Sequence, residues 1–249
     1  MQFTPLVRLT WLASSRPGSG VPAAAVNEHL DALSRVLGVG RVTAYHLVAL
    51  DSVHQRLKAN LHLLGTDSSQ PRPDVLLLSE VESIRVAVDK EDEIRNLPLE
   101  SGRAESAVVG RALLMAASSV AGVHDSEYDI FGPAVQVGIF NMDSPESERR
   151  LSYWYEYQRF VPFTTLGGGI RARRFLSVWG PSKFGVIYEF VSREAHSEFI
   201  AMLEAPAHDN SHVTGNVIPH TVHHPVLSQS VGVQVPAARE GGSRDVMPA

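Results

Sequence analysis

Residues 5–13 read "PLVRLTWLA" and residues 133–141 read "PAVQVGIFN". Each opens on proline and then alternates, the period-two pattern of a strand whose two faces meet different surroundings. The parallel continues in chain order. "GVGRVTAY" (38–45) is answered by "GGIRARRF" (168–175), and "LLLSEVES" (76–83) by "VIYEFVS" (186–192), which sets Glu80 opposite Glu189 and Ser83 opposite Ser192. A chain that repeats its strands in the same order is read as two copies of one unit.

Helices fall between these strands at matching places. In "VPAAAVNEHLDALSRVLGVG" (21–40) Val26, Leu30, Leu33 and Leu37 recur at helical spacing. "SIRVAVDKEDEIRNL" (83–97) is a second helix in the first half. The second half answers with "SPESERRLSYWYEYQRFVPF" (144–163), where Ser144 is placed as N-cap and Pro145 as first helical residue, and with "REAHSEFIAMLEA" (193–205). Strands over 41–50 and 74–83 in the first half, and over 167–180, 183–192 and 228–236 in the second, complete two βαββαβ orders. One piece does not fall into place. "SAVVGRALLMAASSVAG" (106–122) reads as helix or as strand, and no clean fourth strand of the first unit can be set before residue 133.

The fold class expected is therefore α+β: two fused ferredoxin-like βαββαβ repeats packing sheet to sheet as an α/β barrel. Each unit carries both helices on one face of its sheet, and the other face must be covered. Residues 1–125 form the first repeat, divergent and stretched by an insertion at 51–73. Residues 126–236 form the second, and 237–249, small, polar and Gly-rich, a disordered tail.

Composition bounds the function. Of 249 residues, 44% are hydrophobic and 20% charged, enough for a buried core. A net charge of −5 without a basic stripe argues against nucleic acid. No cysteine is present, which excludes disulfides, thiolate metal sites and Cys nucleophiles and fits a cytoplasmic setting. No apolar run is long enough for a membrane span, and the N-terminus lacks the basic region of a signal peptide. There is no GxSxG, no phosphate loop and no HExxH.

The stretch "WYEYQRFVPFTTLGGGIRARRF…KFGVIYEFVSREAHSEF" resembles the EthD-type, dimeric α/β-barrel superfamily. There a helix ends in an aromatic-rich segment and a Val-Pro pair, and leads through glycine to an "ARRF"-type strand. "VIPHTVHHPVLSQSVGVQV" is similar to the closing His-containing loop and last strand of that family. The resemblance covers about 134–236, is faint over 5–97, and implies fold more sharply than activity. Members include monooxygenases, dehydratases, cyclases, isomerases and proteins of no known activity. Where the family often carries a histidine before the Val-Pro pair, this chain has Arg159, which stays protonated and cannot serve as a base. It could instead hold a carboxylate, phenolate or enolate.

Candidate site residues follow. In "VIPHTVHHP" (217–225) His220, His223 and His224 lie between two prolines, which makes the segment extended or turned. They could be a solvated turn, metal ligands with His208, Asp209 and His212, or a source of one acid–base group, His220 or His223. Tyr155 and Arg159 are the other catalytic candidates. Trp154, Tyr188 and the strand residue His46 are candidates for substrate binding, set against plain core packing. Tyr188 and Glu189 are neighbours on one strand and must face opposite sides. A buried Glu189 is either an acid or the salt-bridge partner of Arg171, Arg173 or Arg174.

These residues point to a cofactor-independent enzyme acting by proton transfer on a hydrophobic, aromatic or polyketide-like small molecule, of lyase, isomerase or cyclase type, with an oxygenase outcome open. The alternatives are a non-catalytic ligand-binding or stress-type barrel and a metal enzyme using the histidines of 208–224. No resident metal or cofactor is expected, and a homodimer is an open possibility for such sheets.

Overall fold

The computed structural model describes residues 6–14, 20–37, 42–48, 62–63, 71–97, 106–128, 131–204, 217, 220–224, 226–228 and 230–235. The first half gives β1 (Leu6–Ser14), α1 (Ala23–Leu37), β2 (Val42–Leu47), a two-residue β3 (His62–Leu63) and β4 (Val75–Val81). The expected second helix of this half breaks at Lys90 into α2 (Ile84–Asp89) and α3 (Glu91–Arg95). The second half gives β6 (Ala134–Met142), α4 (Pro145–Trp154), a π-helical turn (Tyr155–Arg159), α5 (Phe160–Thr164), β7 (Gly169–Trp179), β8 (Phe184–Phe190), α6 (Arg193–Glu204), β9 (Thr221–His223) and β10 (Ser230–Gln234).

The stretch that sequence left between helix and strand is β5, Ser106–Ala121, sixteen residues long. Its alanines favour a helix, but both of its edges are taken. Leu6 to Ser14 of β1 pair one edge, and Arg171 to Trp179 of β7 pair the other. Strand propensity is a matter of fitting a packed, pleated surface, and here that surface decides.

Strand order around the sheet is β10-β2-β4-β1-β5-β7-β8-β6, and β6 pairs again with β10. Eight antiparallel strands thus close a ring. Within each half the order is second, third, first, fourth strand, the arrangement expected of a ferredoxin-like unit. The fourth strand of each half reaches across to the second strand of the other. Closure leaves no free edge in the ring. β9 continues along β6 beyond β10, with Phe140 opposite His223, and β3 lies parallel to β9.

The core has three parts. Inside the ring, Leu9, Trp11, Tyr45, Leu78, Val137 and Phe175 pack together, fully buried or nearly so. Outside it, α1 to α3 cover the first half with Val26, Leu33, Leu77, Ile94 and Leu113. On the opposite flank α4 to α6 cover the second half with an aromatic layer. No helix among the described residues is long and apolar enough to cross a membrane.

The ring also holds charge. Glu189, wholly buried, accepts from Arg173 Nη2 at 2.8 Å and from the Gly132 amide at 3.0 Å, and Arg171 Nε lies 3.4 Å away. Glu80, from the matching position of the first half, lies 3.8 Å from Arg173 Nη1. Arg173 itself rests over Phe131 and Phe175. Of the two readings of Glu189, the salt bridge is the one observed.

Candidate functional site

The second half's helix begins where sequence placed it: Ser144 Oγ accepts from the Ser147 amide at 3.2 Å and Pro145 follows. After Trp154 the helix widens into the π-turn. A π-turn shifts every later side chain around the axis, and such turns concentrate at functional sites. Around it Tyr153 and Tyr157 lie outside, tilted against each other at 4.7 Å, while Trp154 and Tyr155 are buried. The "GGG" turn then returns the chain to the sheet. A Cβ on Gly168 would meet the Ala195 Cβ at 2.2 Å, so only glycine lets α6 come this close.

Four of the candidate residues are brought together under that turn. Tyr188 points from β8 into the layer between sheet and helices, with its ring 5.2 Å from Phe199, 5.7 Å from Phe163 and 6.1 Å from Phe160. Tyr155 lies 4.8 Å from Trp154 and 5.4 Å from Phe160. Arg159, half-buried, holds its guanidinium between Trp154 at 5.4 Å and Phe199 at 5.5 Å. That is a cation–π sandwich, open to solvent on its remaining side.

Electrostatics ties these groups to one another. Burial pushes the Tyr155 hydroxyl well above its ordinary 10, Tyr188 adds to the rise, and Arg159 and Arg174 oppose it. Burial also raises Tyr188, and Arg159 pulls it back by charge and by approach to the hydroxyl. Both phenols are therefore protonated at neutral pH. The Tyr188 hydroxyl is buried and completes no hydrogen bond of good geometry. A polar group left so costs about 1–3 kcal/mol.

The histidines separate. His223 stands beside Phe140 on the helix-facing side, because paired residues of neighbouring strands share a face. It is buried, its ring 5.3 Å from Phe140, which in turn lies 6.3 Å from Tyr155. Its Nδ1 is 2.6 Å from Ser228 Oγ, and Ser228 also accepts from the Ile139 amide. His223 thus sits at the edge of the aromatic layer. His220 is partly exposed, with Nδ1 2.5 Å from Asp143 Oδ2. Hydrogen bonds from His220, then Ser147 and Ser144, hold the Asp143 carboxyl below its usual range. His224 uses Nδ1 to accept the Val226 and Leu227 amides, and burial lowers its pKa. His46 is exposed on the outer face of β2, the side opposite Tyr45, and does not join the layer. Each described histidine of the closing segment has a separate Nδ1 partner, and the described residues contain no group of three or more metal-ligating side chains. His208, Asp209 and His212 lie outside the described residues.

Sequence reasoning missed the residues that frame this layer: Phe140, Phe160, Phe163 and Phe199, together with Asp143 and Ser228. Phe140 shares the face of Gln136 by strand alternation, and Phe199 shares that of His196 at helical spacing, so a face-by-face reading would have found both.

Solved structures share this architecture. A chlorite dismutase variant from Candidatus Nitrospira defluvii is similar over 95% of this chain and 93% of its own, at 10% identity and a TM-score of 0.53. An anthrone oxidase-like protein is similar over 94% and 93%, at 12% identity and a TM-score of 0.52. The fold is a ferredoxin-like α/β barrel. At these identities the likeness shows the fold alone, and it does not single out the EthD type. No protein-family model matches the chain, and no curated protein matches it in sequence.

Proposed function

We propose that this barrel acts on a hydrophobic, aromatic or polyketide-like small molecule, bound in the aromatic layer of the second half, and that the reaction is a proton transfer of lyase, isomerase or cyclase type. The observation that carries this reading is the convergence of Tyr155, Arg159 and Tyr188 beneath the π-turn, in a layer rich in rings. Flat side chains make a slot suited to a flat ligand, and a few polar groups among them give orientation. His223, at the edge of the layer with its Nδ1 on Ser228, is the acid–base group, since an imidazole can both give and take a proton. Arg159, at the partly exposed side of the layer, holds developing negative charge. The EthD-type resemblance over 134–236 supports the same location.

An oxygenase outcome in the same layer draws support from the anthrone oxidase-like neighbour. The two are separated by one experiment. Anthrone and other compounds with an activated C–H bond are incubated with the protein in deuterated buffer, with and without oxygen, and followed by NMR. Proton transfer gives exchange into the C–H position without oxygen uptake, and loss of exchange in His223→Ala. Absence of exchange and of oxygen uptake across the panel would favour a barrel that only binds its ligand. A homodimer belongs to this proposal as well, checked by sedimentation.

A further inference from the structure

Resting on that reading, the Tyr188 hydroxyl says what kind of atom the ligand must bring. Tyr188 is 2% exposed and its oxygen meets no hydrogen-bond partner of good geometry. Its ring packs among Phe160, Phe163, Phe190 and Phe199, the Arg159 guanidinium approaches its hydroxyl, and Tyr155 is near enough to be acted on by it, although no hydrogen bond of good geometry joins the two phenols. Neither the rings nor the guanidinium is a good acceptor. Rings offer only a weak π-face, and a guanidinium has donors alone, so even a closer Arg159 would leave the phenol's own hydrogen without an acceptor. Across β6 and β8 Tyr188 is paired with Gln136, whose side chain carries a carbonyl. That oxygen is already engaged by His196 Nε2 at 3.2 Å. Arg174, the other cation that acts on Tyr155, is directed elsewhere, to Ser152 at 2.6 Å and toward Glu156.

We infer that Tyr188 and Arg159 form a two-donor seat for a single acceptor oxygen of a flat, conjugated ligand: a ketone, enolate or phenolate oxygen lying between the phenol and the guanidinium. A purely hydrocarbon ligand would leave the Tyr188 hydroxyl as it is. A ligand whose polar group is only a donor would face two donors. An acceptor oxygen satisfies the phenol and gains a charge-assisted bond from arginine. Arg159 is held against Trp154 and Phe199, which restrains it beside Tyr188 before the ligand arrives. Arg159 stands at the partly exposed side of the layer, and that places the oxygen near the entrance and the hydrocarbon body against the rings.

The test uses two probes of one shape, 2-acetylnaphthalene and 2-ethylnaphthalene, the second lacking the oxygen. Binding is read by calorimetry and by tryptophan fluorescence in a Trp11→Phe, Trp179→Phe background that leaves Trp154 as the reporter. The seat predicts that the ketone binds at least tenfold more tightly than the hydrocarbon. Tyr188→Phe should bring the ratio to within about threefold while leaving the hydrocarbon's affinity unchanged, and Arg159→Met should weaken the ketone further. Because the hydroxyl's own hydrogen has no acceptor of good geometry and only the Arg159 contact would be lost, Tyr188→Phe should keep the melting midpoint within about 2 °C or raise it. Equal binding of the two probes by the wild-type protein overturns the seat but leaves the aromatic layer as a ligand site. Full preference retained in Tyr188→Phe, or a midpoint lowered by more than about 5 °C, shows that the hydroxyl serves the protein and also overturns it. Failure of both probes to bind overturns the seat and the proposed site together.

Discussion

The two helix-covered flanks of this barrel occupy equivalent places and are filled differently. The first-half flank is aliphatic, built on Val26, Leu33, Leu77, Val81, Ile94 and Leu113. At its centre is a small polar knot. Arg8 donates to Thr10 Oγ1 at 2.5 Å and faces Glu91 at 3.9 Å, with buried His29 and with Arg111 nearby. The second-half flank is richer in rings, and its polar groups include Arg159, two phenols, His223 and the Gln136–His196 pair. Matching positions make the contrast concrete. Leu12 corresponds to Phe140, Arg8 to Gln136, and Ser79 to Tyr188. Branched aliphatic side chains interlock and fill space in three dimensions. Rings meet here mostly tilted or edge to face, as Phe163 does with Tyr188, Phe190 and Phe199. The same backbone thus carries two kinds of packing, and the proposed function places the site on the aromatic one.

That contrast can be broken or sharpened by measurement. The largest effect is expected from the element both halves share. Arg173→Met leaves Glu189 and Glu80 buried without their common partner, and should cost about 3–5 kcal/mol in urea unfolding. Restoring neutrality with Glu189→Gln in the same chain should recover part of the loss.

The next effect belongs to the first flank alone. Burial, then Arg8 and Arg111, lower His29 from 6.5 to about 4. Its folded pKa lies below its unfolded one, so the stability it contributes is present above pH 6.5 and is lost as pH falls toward 4, where the unfolded chain takes up a proton that the folded one resists. The gap is worth about 3 kcal/mol. A stability curve flat through that window, or one unchanged by His29→Leu, would show that this histidine is not what acid attacks.

For the second flank, His223→Ala should slow the proposed proton transfer by roughly a hundredfold. His220→Ala and His224→Ala should change it less than threefold, and all three variants should fold. Equal and negligible effects would move the chemistry away from this segment. Smallest of all, dialysis against a chelator should leave the melting midpoint within about 1 °C, since a structural metal would show itself in folding. A large drop would point to His208, Asp209 and His212.

Much of the frame was legible from local pattern. Alternation placed β1, β6, β7 and β8 within a residue or two, and Ser144 with Pro145 marked the start of α4. The opposite facing of Tyr188 and Glu189 needed only the period of a strand. These features depend on neighbours in the chain, and the amino-acid sequence by itself determines them. Other features depend on what a segment meets. Ser106–Ala121 became a strand because β1 and β7 lie on both its edges. The turn at Tyr155–Arg159 became π-helical at the point where Tyr155 and Arg159 pack onto the sheet. Of three adjacent histidines, His223 went inward because β9 pairs with β6 and sets it beside Phe140. Tertiary structure alone decided these, because edge pairing and face-to-face packing join residues far apart in the chain, and no local periodicity carries that information.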